Sequence, residues 1–149
     1  MARKIIIFFF AVISLSFSAY YFFDNHYSIY GNKIETVLID GTKLKVETVD
    51  TADKRERGLG GRAGICASCG MLFEFPQKGV YSFWMKDMKF NLDILWISGG
   101  TVVKIAKNVP YSDGTSRPLI PAMRSDKVLE INAGLSDRIG IKIGDKIFF

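Results

Sequence analysis

A small, mainly β domain is the fold class this sequence predicts: an antiparallel β-barrel or sandwich, bordering on α+β, with one or two short helices and one apolar helix ahead of it. Three observations carry that expectation. Runs of β-branched residues are separated by two-residue turn signals such as Asp40-Gly41 and Gly99-Gly100. Further turn signals recur about every eight to twelve residues, enough for seven or eight short strands. Residues 5–23 (IIIFFFAVISLSFSAYYFF) carry no charge and stand apart from everything that follows.

The amino terminus sets the compartment. Arg3 and Lys4 precede the 19 uncharged residues, and the first acidic residue is Asp24. That length is at the lower end of a membrane span, and basic residues ahead of it favour a cytoplasmic end. Residues 1–4 then form a cytoplasmic stub and residues 5–23 a signal anchor in the lipid bilayer. Residues 24–33 form a tether, and residues 34–149 an extracytoplasmic domain. The alternative is a signal peptide cleaved near Ser16 or Ser18, which would release a secreted protein. The aromatic run Tyr20–Phe23, placed where an interfacial belt sits, favours the anchor.

Composition excludes several classes. Of the 149 residues 48% are hydrophobic and 23% charged, so wholesale disorder is excluded. Beyond the apolar segment roughly 118 residues remain, enough for one core and too few for a multidomain enzyme or a polytopic transporter. Past residue 23 the chain holds 18 basic and 15 acidic residues, a net +3. With no basic block interleaved with aromatics, nucleic-acid binding is not expected.

The elements follow in order. Ile34–Ile39 and Thr42–Val49 predict a hairpin around Asp40-Gly41. In the second strand Leu44, Val46 and Thr48 alternate with Lys43, Lys45 and Glu47, one buried face and one wet. Asp50-Thr51 caps a short helix over 52–58, which Gly58 ends. The glycine-rich stretch 58–70 predicts a long loop. Met71–Phe75 and Val80–Met85 predict two strands about a Pro76–Gly79 turn. Leu92–Ser98 and Thr101–Lys107 predict a hairpin about Gly99-Gly100. Residues 108–126 hold three of the four prolines and predict an irregular surface excursion. Lys127–Ile131 predicts a strand, 133–139 a helical turn or two, and Lys146–Phe149 a closing strand after Gly144-Asp145.

Three separated motifs, GMLFEF (Gly70–Phe75), SFWMKDMKFNLDILWI (Ser82–Ile97) and VLEINAGLSDRIGIKIGDKI (Val128–Ile147), with ADKRERGL upstream, give the chain a family resemblance. It resembles domain of unknown function 192, also known as uncharacterised protein family 0127, over roughly residues 35–149. The resemblance implies a compact β-rich domain, frequently behind a signal or membrane anchor, with no established activity. Members usually carry Asn where this chain has Asp87, and their loop before GMLF is typically shorter and lacks cysteines.

The candidate chemistry is sparse. Cys66 and Cys69 read first as a structural disulfide, with a redox pair, a metal site shared with a partner and inert thiols as the alternatives. A zinc site wants four ligands, and the single histidine, His26, lies in the tether. The same placement argues against Ser–His–Asp and Cys–His hydrolases. A soft copper(I) site gathered from Met71, Met85, Met88 and Trp84 competes with the ordinary use of methionine to fill core gaps. No cofactor is expected. Asp87 and Asp93 could face one pocket as an acid–base pair, although Asp87 reads more simply as a turn residue. Trp84 is either core or the wall of a shallow groove. The pocket that the motifs assemble is expected from Arg57, Met71, Trp84, Lys86, Asp87 and Asp93.

The function this supports is a membrane-tethered accessory domain that binds a small envelope ligand or a protein partner without catalysis. The alternatives are an envelope enzyme, either a hydrolase using Asp87 and Asp93 or a thiol redox protein using Cys66 and Cys69, and a partner-binding module with a broad apolar patch.

Overall fold

In a computed structural model the described residues are Ser28, 30–111 and 118–149. The expected span over 5–23, the stub before it and half of the tether, residues 24–27 and 29, lie outside them. Among the described residues no helix is long and apolar enough to cross a membrane.

Strands β1 (Lys33–Ile39) and β2 (Thr42–Val49) form the expected hairpin, with Asp40 at φ 44° and Gly41 at φ 75°. Positive φ at both central residues gives the primed turn whose twist suits a two-residue connection. Helix α1 (Ala52–Arg57) starts at Thr51, whose hydroxyl accepts the Lys54 N–H. It ends at Gly58, φ 48°.

A glycine-rich loop leads to β3 (Cys69–Gly79), followed by β4 (Leu92–Ser98), β5 (Thr101–Val109), β6 (Ser125–Asn132), the short helix α2 (Leu135–Arg138) and β7 (Ile147–Phe148). All seven strands join one sheet in the order β5-β4-β6-β3-β2-β1-β7. The sheet curls into a half-barrel. At one end Thr101 bridges Lys146, and the Ile147 N–H donates to the Gly100 carbonyl, so the two edges meet there.

Two expectations need correction. The sheet is mixed, because β2 and β3 pair in parallel. A parallel neighbour needs a crossover of a dozen residues or more, and residues 50–68, with α1 inside them, supply it. The second concerns Pro76. It does not end a strand; β3 runs through it, with its register to β6 broken between Glu74 and Gly79. Such an irregularity is where a strand tolerates a residue that cannot donate. Val80–Met85 is correspondingly no strand, and its one bridge joins Phe83 to Leu119.

The curl buries two apolar layers. The inner one draws on every strand, from Val37 and Leu44 through Leu72, Leu95, Val102 and Leu129 to Ile147, and α2 plugs it with Leu135. The second lies on the opposite face of β3, β4 and β6, where Met71, Phe73, Ile94, Trp96 and Val128 are covered by Leu59, Phe83, Met85 and Met88. With both faces covered, β4 is buried from Leu92 through Ile97. Gly70 lets β3 lie close against β6, since a Cβ there would stand 2.7 Å from the Glu130 carbonyl oxygen.

Candidate functional site

The cover on the second face does not seal it. Between α1 with its following loop and the segment 81–88 opens a groove of about 240 Å³. Its walls are aromatic and tightly ordered. Phe75 and Tyr81 stack at 3.5 Å between ring centroids, and Phe83 meets Phe73 and Phe75 edge-on at 4.8 and 6.5 Å. The Tyr81 hydroxyl donates to the Gln77 carbonyl, and the Trp96 indole N–H donates to the Tyr81 carbonyl, which pins the wall to the sheet.

The mouth holds three cations, Arg55, Arg57 and Lys86, against the carboxyl groups of Glu56 and, at the outer rim, Asp87. Arg55 lies 5.0 Å from the Phe75 ring centroid, but its guanidinium is tied to the Asp50 and Glu74 carbonyls. Arg57 is exposed, and its guanidinium has no ion pair or hydrogen bond among the described residues. Lys86 rests only against the Trp84 ring, 5.7 Å from its centroid. Trp84 itself is 53% exposed. A hollow of about 340 Å³ continues the groove outward past Glu56, Arg57, Trp84, Lys86 and Asp87.

At the floor stands Glu130 of β6, 5% exposed and without a hydrogen-bond or salt-bridge partner among the described residues. Its register neighbours are Met71 on β3 and Ile94 on β4, both fully buried. Burial pushes its carboxyl up to about 8, so the group is largely a neutral acid at neutral pH.

Of the expected pocket residues, Arg57, Trp84 and Lys86 meet at this groove, and Asp87 sits at its outer rim. Asp87 has φ 58°, a left-handed turn conformation that Asn and Asp tolerate best. Met71 is corrected to core: it points into the second apolar layer beneath the groove. Asp93 is corrected more sharply. Strand alternation turns it to the other face of the sheet from Ile94, fully buried. There its carboxylate accepts from the Asn108 N–H at 2.8 Å, the Ser136 N–H at 2.9 Å and the Ser136 hydroxyl at 2.6 Å. Asp87 and Asp93 therefore do not share a pocket. Met85 and Met88 are buried as packing.

Glu130 and the stacked aromatics were absent from the sequence expectation. The one signal for Glu130 was a carboxyl inside the otherwise apolar run Val128–Ile131.

A second hollow, about 380 Å³, lies by Tyr30, Arg62 and the cysteines. Cys66 and Cys69 are joined as a disulfide, with Cα atoms 5.0 Å apart. Two of its three charged residues are paired: Arg62 grips Glu47 through two nitrogens at 2.5 and 2.9 Å and lies 4.0 Å from the Tyr30 ring centroid, while Lys45 is exposed beside them. Burial pushes the Glu47 carboxyl up, yet hydrogen bonds from Arg62, Asn32 and Ser28 and the Arg62 charge hold it below its ordinary value. A buried carboxyl without a partner, that of Glu130, thus distinguishes the groove. No cluster of His, Cys, Asp or Glu among the described residues could hold a metal ion.

Residues 35–149 match the model of the family described as uncharacterized ACR, domain of unknown function 192. A crystal structure of a protein of unknown function from Novosphingobium aromaticivorans superposes with a TM-score of 0.74 at 32% identity, over 83% of this chain and 90% of that one. A second, from Sinorhizobium meliloti and described as a candidate transcription regulator, gives 0.73 at 32% identity over 78% and 94%. No curated protein matches the chain.

Proposed function

The chain belongs to the family of domain of unknown function 192, and from that premise we propose that its β domain is a non-catalytic binding module for a small organic anion, held on the outer side of a membrane by residues 5–23. The observation that carries the binding role is the mouth of the groove, where Arg57 and Lys86 stand unpaired beside an exposed tryptophan over an aromatic wall. Unpaired cations at an apolar concavity favour an anionic ligand that can also bury carbon surface. The hydrolase alternative loses support, because Asp93 is spent on backbone and hydroxyl donors on the far face. The description of the Sinorhizobium protein is not carried over. This chain's outer part is nearly balanced in charge, and the longest helix among the described residues has six residues, short for reading a major groove.

The membrane side rests on Arg3 and Lys4 ahead of the uncharged segment, and the Cys66–Cys69 disulfide suits a non-reducing compartment. Alkaline phosphatase fused at the carboxyl end of the full chain is expected to be active in the bacterial envelope. A fluorescent-protein fusion that lights the cytosol, with inactive phosphatase, overturns this part.

Binding is tested separately by titrating the protein with cyclohexanecarboxylate while following tryptophan fluorescence. Trp84 is the exposed reporter, since Trp96 is fully buried. The double substitution Arg57→Gln and Lys86→Gln is expected to weaken binding about tenfold or more, roughly 1.4 kcal/mol. Unchanged affinity, or no binding by the unaltered protein to any organic anion, would end the proposal.

A further inference from the structure

We infer that the groove's ligand is a single sugar acid, its carboxylate held at the mouth by Arg57 and Lys86, one ring face against Trp84, and a ring hydroxyl bonded to the buried carboxyl of Glu130. This rests on the binding role proposed above and names the ligand class for the same site.

The groove asks for three things of its occupant. The mouth asks for negative charge, as already argued. The exposed Trp84 offers a flat apolar face of the kind that stacks on the carbon–hydrogen face of a ring. The floor asks for a polar group, because a carboxyl 5% exposed with no protein partner is costly unless something bonds to it. A purely hydrocarbon anion would satisfy the mouth and the wall and leave that carboxyl worse off than water does.

The polar group at the floor could be a hydroxyl or an ammonium. The surroundings favour the hydroxyl. No cation among the described residues lowers the pKa of Glu130, and burial raises it, so it stands as a neutral acid able both to donate and to accept. Sugar hydroxyls have the same dual character. An ammonium would meet three cations, Arg55, Arg57 and Lys86, against two acidic residues, Glu56 and Asp87, at the entrance, and would then have to ionise a group that its setting keeps neutral. The inner groove, about 240 Å³ against the roughly 300–1,000 Å³ of sites for drug-sized ligands, suits one ring over the floor, and the outer hollow of about 340 Å³ leaves the charged end at the mouth open.

The experiment uses the full chain in detergent and three probes: glucuronate, cyclohexanecarboxylate and phenylalanine. Affinities are measured by calorimetry for the unaltered protein and for Glu130→Gln and Glu130→Met. Glutamine keeps a donor and an acceptor at the floor; methionine keeps the volume and removes both. Circular dichroism confirms that each variant is folded. The expected result is that glucuronate binds the unaltered protein at least tenfold more tightly than cyclohexanecarboxylate. Glu130→Gln should keep most of that preference and Glu130→Met should lose it, with cyclohexanecarboxylate binding the methionine variant at least as tightly as the unaltered protein. Equal affinities for glucuronate and cyclohexanecarboxylate, unaffected at Glu130, overturn the sugar acid and leave the anion-binding groove intact. Phenylalanine as the tightest ligand, abolished by Glu130→Gln, overturns it in favour of an ammonium. If none of the three binds, the anion-binding groove fails and the sugar acid with it.

Discussion

Replacing Asp93 by alanine is expected to remove about 3–5 kcal/mol of folding free energy, a large part of the roughly 5–15 kcal/mol typical of a domain this size. The carboxylate stands where three segments distant in sequence converge. From β4 it accepts the Asn108 N–H near the end of β5, where Asn108 has φ 50°. It also accepts the backbone N–H and the hydroxyl of Ser136 in the first turn of α2. That helix begins at Gly134, which has no side chain to cap it, so Asp93 provides from another strand the acceptor that a helix start ordinarily takes from its own N-cap. Truncation leaves these donors without an acceptor in a site closed to water, at about 1–3 kcal/mol for each buried group left unsatisfied. It also loosens Leu135, which α2 inserts into the inner core. Asp93→Asn, with one carbonyl oxygen in place of two, is expected to recover part of the loss. Urea unfolding followed by Trp96 fluorescence reads the effect. A midpoint equal to that of the unaltered protein, with ligand binding lost, would show Asp93 to be a binding residue after all.

Asp93 also marks where the sequence ceases to be readable. Both two-residue hairpins, the capped helix and the burial alternation of β2 were legible because each is decided within a few residues: Asp40-Gly41 accepts positive φ, Thr51 caps, and Leu44, Val46 and Thr48 share a face. Strand partnership is not local. Nothing in Thr42–Val49 or Cys69–Gly79 states that these strands run parallel, and the crossover that makes them so was visible only as a helix and a loop. Within the site, Arg57, Trp84 and Lys86 could be found because charged and exposed aromatic residues stand out in apolar motifs. Asp93 stood out in the same way and meant something else, since Ser136, its partner, is 43 positions away. Glu130 was passed over for the converse reason. Between Leu129 and Ile131 it looks like the wet face of an ordinary strand until the cover formed by Leu59, Phe83 and Met88 shows that this strand has no wet face.

That burial has a consequence for stability that needs no ligand. The folded protein holds the Glu130 proton up to about pH 8, whereas the unfolded chain releases it near the ordinary 4.5. As pH rises between these values the unfolded state gains by ionising and the folded state does not. The contribution of Glu130 is therefore fully present below about pH 4.5 and lost as pH rises through 8. The two values set an upper bound of about 5 kcal/mol on that loss. Glu47 and Glu35 act in the opposite sense. Burial pushes both up, but Arg62, Asn32 and Ser28 on one, and Lys33 and Thr48 on the other, hold them below their ordinary value. Their contribution is present above the ordinary carboxylate value and lost as pH falls through the lowered one. Stability should accordingly peak in mildly acid solution and decline towards alkaline pH. Glu130→Gln keeps the shape and removes only the ionisation, so it should abolish the alkaline decline and leave the acid limb unchanged. At pH 8.5 it should be the more stable protein by several kcal/mol, within the bound above. Urea midpoints at intervals from pH 4 to 9 would show it. Parallel curves for the two proteins between pH 5 and 8 would mean that the carboxyl at the floor of the groove is already ionised in the folded state, and hence that it has a partner or a water-filled environment after all.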